Sequence, residues 1–181
     1  MFPVFCRDFG IKGIWMSVFH SISAFCNAGF DILGTTDHTF VSLTGYSRNI
    51  WLNIVIMLLI ILGGIGFLTW EDFYTNKFKF KRYRMQSKVI LITTAILIIA
   101  PAVFFFACDF GNLPAGKRLL ASVFQSVTTR TAGFNTEDLS LMTEAGKAVM
   151  ILLMLIGGSP SSTAGGMKTT TFAVLILNAL A

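Results

Sequence analysis

The sequence predicts an all-α membrane protein in which helices flank short re-entrant loops. Three observations predict it. Of 181 residues, 54% are hydrophobic and 13% charged, about half the charged share of an ordinary soluble domain. Three uncharged runs approach the length that a bilayer-crossing helix needs. A polar, glycine-bearing segment occurs twice, each time ahead of such a run. The same composition excludes a disordered chain, a nucleic-acid-binding arm and a secreted disulfide scaffold. Mean hydropathy is +0.72.

The elements follow in order. Residues 1–48 read as an outer segment. They hold no signal peptide, because Arg7 and Asp8 interrupt the first ten residues before any apolar core. An outward start with no signal and no preceding span reads as a fragment of a longer protein. Residues 49–70 read as a transmembrane helix. In it Gly63, Gly64 and Gly66 allow close backbone approach, a packing role rather than a ligand role. Residues 71–88 form a basic loop. Residues 89–107 form a second transmembrane helix, with a kink expected at Pro101. Residues 108–140 form a second outer segment. Residues 141–181 read as a broken helix: helical to about 156, irregular over 157–168, helical again from Thr169. The irregular stretch packs four glycines and Pro160 among serines and a threonine, which compete with helix. Such backbone persists at membrane depth only when buried in protein or lining a cavity, and it commonly marks a transport path.

Charge sets the orientation. The loop 71–88 carries Lys77, Lys79, Lys81, Arg82, Arg84 and Lys88 against Glu71 and Asp72. Residues 1–48 balance Arg7, Lys12 and Arg48 against Asp8, Asp31 and Asp37. Residues 108–147 balance Lys117, Arg118, Arg130 and Lys147 against Asp109, Glu137, Asp138 and Glu144. A short basic loop stays cytoplasmic. The loop reads as a topology signal, a docking surface, or both.

The two outer segments repeat. Residues 17–31 align with 122–135 with one single-residue gap; Ser-Val-Phe, the next Ser and Ala-Gly-Phe recur intact. Each copy predicts a helix of about a dozen residues, too short to cross, that ends in a glycine-bearing loop and returns outward. The partial negative charge at such a helix end favours a cation, and loop carbonyls can replace its hydration shell. Glycine reaches the required dihedrals cheaply, which singles out Gly29 and Gly133. A surface helix with a glycine C-cap is the plainer alternative. Two copies in equivalent positions favour the pore loop.

These pieces resemble the KtrB/TrkH/HKT superfamily of potassium transporters, and within it the bacterial KtrB subunits. The resemblance lies in residues 19–31, Gly63-Gly64-Ile65-Gly66-Phe67, residues 128–136, and 157–169. It implies repeats of helix, pore loop, helix around one pseudo-fourfold pore, as in a potassium channel. This chain then represents an incomplete set: the pore loop and second helix of repeat two, and most of repeat three. By the resemblance, the selectivity filter includes Asn27, Ala28, Gly29 and Phe30 in one loop and Thr131, Ala132, Gly133 and Phe134 in the other. K+ contacts only backbone carbonyls there, and Na+ is a second candidate ion. Gly157, Gly158, Ser159, Pro160, Gly165, Gly166 and Lys168 belong to an intramembrane gate loop. The resemblance further implies a plasma-membrane, multi-pass homodimer, regulated by a cytoplasmic ring of nucleotide-binding KtrA-type subunits, with no bound cofactor and no nucleic-acid partner. Two alternatives are a non-transporting fragment of a split gene and an oligomeric K+ channel with one loop per chain. Two unequal loops in one chain count against the latter.

Other residues admit plainer readings. Lys168 reads equally as an electrostatic barrier or as a side chain snorkelling to the interface. Arg130 would repel a cation from the filter, so it is expected to point behind the loop and hold it by hydrogen bonds. His20 has Gln125 as its repeat counterpart, which favours packing or hydrogen bonding. Asp31 and Asn135 follow the loops and would shape the outer mouth. Cys6, Cys26 and Cys108 are too scattered for a metal site. Gly166-Met167-Lys168 lacks the adjacent Gly-Lys of a phosphate loop. No serine, histidine and acid set suggests an enzyme.

Overall fold

The computed structural model describes residues 1–35, 41–77 and 79–180. Residues 36–40, Phe78 and Ala181, which fall in the expected outer segment, basic loop and last helix, lie outside them. Among the described residues the protein is all-helical, with a single isolated bridge between Ile156 and Met167.

Helices α1 (Phe2–Phe9) and α2 (Lys12–Phe25) form a tight pair at the start of the chain. The first was not expected from the sequence. α3 (Ile50–Gly64) begins at an N-cap, where the Asn49 side chain accepts from the Leu52 amide at 3.1 Å. It stops sooner than the sequence suggests. The expected single helix over 49–70 is two: α4 (Phe67–Asn76) leaves at 96° to α3. The cause is Gly66, whose φ of +90° ends the helix. The Phe67 amide then donates to the Ser161 carbonyl at 2.9 Å instead of continuing the ladder. α4 also takes up the first part of the expected 71–88 loop.

α5 (Met85–Cys108) is continuous through Pro101. Its 24 residues span about 36 Å, enough for a bilayer. Among the described residues it is the one helix long and apolar enough to cross a membrane by itself; α3 with α4 reaches that length only as a bent pair. α6 (Ala115–Thr128) returns alongside it. Arg118 locks that return: its guanidinium donates to the Phe106 and Ala107 carbonyls at 2.6 and 3.2 Å, where a cation also meets the negative helix end.

α7 runs over Glu144–Leu155, a little later than expected, after a short 3-10 turn at Leu139–Leu141. Thr143 caps it, and Asp109 accepts from both the amide and hydroxyl of that cap. α8 runs over Thr169–Leu180. At 12 residues, α7 is about 18 Å long and does not cross alone.

Two cores hold this together. One joins Phe5, Met16, Leu52, Ile56, Phe124 and Phe134 across α1, α2, α3 and α6. The other joins Leu97, Phe105, Ala121, Met150 and Leu153 across α5, α6 and α7. α6 belongs to both, which places the loop after it at the centre of the molecule. The outward faces stay apolar: Ile92, Ile96, Ile99 and Val103 form an exposed stripe on α5. In water such a stripe would be costly; against lipid it costs nothing.

Candidate filter and gate loops

The sequence repeat is a structural repeat. α2 and α6 are both 14 residues long. Ser17 and Ser122 hold equivalent places and each hydroxyl donates to the carbonyl four residues earlier, at 2.7 and 2.6 Å. The loops that follow share their backbone. Asn27 and Thr131 have φ of +51° and +69°; Gly29 and Gly133 have φ of +72° and +84°. Asparagine tolerates the left-handed region, whereas a β-branched threonine there is rare.

Each loop is then bonded to its own helix. The Ser23 hydroxyl donates to the Phe30 carbonyl at 2.8 Å, and the Thr128 hydroxyl to the Phe134 carbonyl at 2.7 Å. Ser23 and Thr128 are aligned positions. The sequence reading passed over them, although two hydroxyls at one repeat position were a visible signal. The two loops meet. A Cβ on Gly29 would overlap the Ala132 carbonyl and come within 3.0 Å of the Gly133 Cα. Among the described residues, no hydrogen bond reaches the carbonyls of Asn27, Ala28, Gly29, Thr131, Ala132 or Gly133. Phe30 is exposed, while Phe134 is fully buried in the first core. The second loop is further pinned by Leu43 and Ser42, which bond both backbone groups of Asn135 at 2.9 and 3.0 Å.

The 157–168 segment folds under these loops as a closed excursion between α7 and α8. Its neck is the Ile156–Met167 bridge: Gly157 donates to Met167 and Met167 to Leu155, each at 2.9 Å. A Cβ on Gly157 would overlap the Gly165 carbonyl, so the neck closes only around glycine. Gly158 accepts from the Thr169 amide at 3.1 Å, and Gly166 takes φ of +69°. Ser159 is buried and donates to the Gly64 carbonyl from both its amide and its hydroxyl, at 3.0 and 2.8 Å. A Cβ at Gly66 would come 2.5 Å from the Pro160 carbonyl. Gly63 and Gly66 at the α3–α4 break therefore pack against neighbouring backbone, whereas Gly64, expected to do the same, faces open space. A small cavity between the two loops and this segment is lined by Asn27, Ile60, Val127, Arg130, Gly158 and Ala164.

Three single residues resolve as follows. Arg130 is buried, with Nη2 3.4 Å from the Gly157 carbonyl. The Lys168 ammonium folds back to the Ala164 carbonyl at 2.8 Å, inside its own loop. His20 is fully buried, with Nδ1 2.7 Å from the Met16 carbonyl and its ring 5.1 Å from that of Phe5. Cys6, Cys26 and Cys108 are all free.

A family model described as TrkH, a cation transport protein, matches residues 4–181. The chain belongs to the TrkH family. Among curated TrkH-family relatives, it is 42% identical over 180 residues to the potassium/sodium uptake protein NtpJ of Enterococcus hirae, covering 96% of this chain and 38% of NtpJ. It is 38% identical over 176 residues to the Ktr system potassium uptake protein B of Bacillus subtilis, covering 94% of this chain and 38% of that protein. Its fold matches the crystal structure of the potassium transporter TrkH from Vibrio parahaemolyticus at a TM-score of 0.72 and 20% identity, over 92% of this chain and 35% of that one. The chain thus spans a little over a third of the length of these proteins. Fold class and family follow as the sequence implied: an all-α chain with the architecture of a potassium transporter.

Proposed function

We propose that this chain supplies two filter loops and the gate loop of a potassium uptake pore. The observation that carries the reading is the matched left-handed pair in each loop, Asn27 with Gly29 and Thr131 with Gly133, brought against each other at the ends of two helices. Left-handed dihedrals turn carbonyls that a helix would hide, and helix C-termini lend them partial negative charge. K+ sheds water onto the carbonyls of residues 27–29 and 131–133 and is the cargo, with no covalent chemistry. The Phe30 and Phe134 carbonyls, already bonded by Ser23 and Thr128, anchor the loops. The segment 157–168 is the gate on the inner side, with Lys168 as its inner edge.

In this reading residues 1–48 and 108–140 face outward, 71–88 faces the cytoplasm, and α5 crosses the plasma membrane. The bent α3–α4 pair and the α7–α8 pair carry the chain across on either side of the gate. The names of the relatives support potassium as cargo, and that of NtpJ supports a role for sodium. A second pore subunit and a cytoplasmic nucleotide-binding ring complete the assembly. The conducting unit is the complete protein, because two loops cannot enclose an axis that four surround.

The test is growth. A strain lacking potassium uptake, given the full-length parent, grows at limiting K+; the same strain given residues 1–181 alone does not. Failure of the parent to rescue overturns the reading. Rescue by residues 1–181 alone overturns the need for the remaining loops.

A further inference from the structure

We propose that Thr163 is a positioning residue that ties the conformation of the 157–168 segment to the geometry of the first filter loop. The proposal rests on the reading of 27–30 as filter and 157–168 as gate. The Thr163 hydroxyl donates to the Phe25 carbonyl at 2.8 Å and accepts from the Asn27 side-chain amide at 3.0 Å. Its own amide donates to the Gly63 carbonyl at 3.2 Å. One residue of the gate therefore joins the last residue of α2, the first left-handed residue of the filter loop, and the end of α3.

Each of these bonds has a physical reason. Phe25 ends α2, so its carbonyl has no partner within the helix and needs one from outside. A hydroxyl can give one hydrogen bond and accept another, which suits Thr163 to bridge a carbonyl and an amide. Gly63 makes room, because a Cβ there would overlap the Phe25 carbonyl and come 2.8 Å from the Thr163 hydroxyl. The Asn27 amide has one other acceptor, the Ile60 carbonyl, at 3.5 Å. Thr163 is its closer partner. Asn27 is buried and holds φ of +51°, a conformation of limited stability that an anchored side chain fixes.

The second loop is held differently. Arg130 rather than a gate hydroxyl connects it to the segment, and the Thr131 hydroxyl has no partner among the described residues. Movement of the gate therefore acts unequally on the two loops. When the segment shifts, Thr163 leaves the first loop. The Phe25 carbonyl loses its donor and Asn27 loses its closer acceptor. Selectivity then depends on gate position.

The experiment uses the full-length parent and Rb+ uptake against competing Na+. Thr163→Val keeps the shape and removes both side-chain bonds. It is expected to lower the preference for Rb+ at least roughly fivefold, the effect of one neutral hydrogen bond where two are lost. Thr163→Ser keeps the hydroxyl and is expected to retain the preference. Asn27→Gly keeps the left-handed backbone and removes the amide; in that background Thr163→Val has only the Phe25 bond left to remove and is expected to lower the preference less than it does alone. Unchanged preference in Thr163→Val overturns the coupling, as does Thr163→Ser behaving like Thr163→Val. Gly29→Ser, run alongside, separates the two levels. If it lowers the preference while Thr163→Val does not, the coupling alone fails. If neither changes it, the filter assignment fails and the coupling falls with it.

Discussion

The Arg130 guanidinium reaches the Gly157 carbonyl, 3.4 Å from Nη2, so the residue just before the second glycine-bearing loop contacts the first residue of the 157–168 segment. This contact is a poor source of stability. Arg130 is 7% exposed and its Nε has no partner among the described residues. Burying a guanidinium costs several kcal/mol, and one long bond offsets little of that. Arg130→Met in the full-length parent is therefore expected to leave the melting temperature unchanged or slightly raised. Basal Rb+ uptake should rise about tenfold, since a charged hydrogen bond at the weak end contributes about 1.5 kcal/mol. A lower melting temperature with unchanged flux would make Arg130 a structural residue only.

The two glycines proposed for the filter, Gly29 and Gly133, differ in what surrounds them. Both have positive φ, so any side chain costs about 1–2 kcal/mol at either place. Only at Gly29 does the new Cβ also overlap a backbone atom, the Ala132 carbonyl; at Gly133 the nearest atom is the Gly29 Cα at an ordinary 3.5 Å. Gly29→Ser is thus expected to lose more potassium preference than Gly133→Ser, which should lose about tenfold. Rb+ uptake in rising Na+ measures both. The reverse order would show that the loops do not meet as described here.

Much of this was legible in the sequence, and what was not has physical causes. The repeat was visible because Ser-Val-Phe and Ala-Gly-Phe recur, and both loops fold alike. The break at 157–166 was visible because glycine, proline and hydroxyl residues cannot continue a helix. The end of α3 at Gly64 was not. An apolar run shows no boundary when helix and break are equally apolar, and Gly66 turns the chain only because the Ser161 carbonyl receives the Phe67 amide. α1 was missed because Arg7 and Asp8 interrupt its apolar pattern; its stability comes from packing on α2. The bonds of Thr163 and Arg130 span long stretches of sequence, and no local signal reports them.

The outer segment offers a test by titration. The Tyr46 hydroxyl donates to the Asp8 carboxylate at 2.9 Å. Burial, then this carboxylate, pushes Tyr46 up to about 12. The Arg7 guanidinium and the Tyr46 hydroxyl hold the Asp8 carboxyl below its ordinary range. The signs oppose. The contribution of Asp8 is present above about pH 4 and is lost as pH falls through its lowered value. That of Tyr46 is present below about pH 10 and is lost as pH rises toward 12. Tyrosinate absorbance should show a component near pH 12 that Tyr46→Phe abolishes and Asp8→Asn moves downward. No change in Asp8→Asn would remove the carboxylate from the explanation.

Two neighbouring glycines at the α3 break should respond in opposite directions. Gly64 is helical and a Cβ there meets nothing within 4 Å. Gly64→Ala removes glycine's entropic cost in a helix and is expected to stabilise by about 0.5–1 kcal/mol. Gly66 holds φ of +90°, with the Pro160 carbonyl and Ser159 hydroxyl at 2.5 and 2.7 Å from a Cβ. Gly66→Ala therefore strains the turn by about 1–3 kcal/mol and displaces the 157–168 segment that packs on it. Thermal unfolding of the full-length parent should rise for the first variant and fall for the second. The second should also alter flux if 157–168 is the gate as proposed, because Ser159 and Phe67 lose the register that joins the break to that segment. Equal melting temperatures for the two variants would mean that the bend does not depend on Gly66.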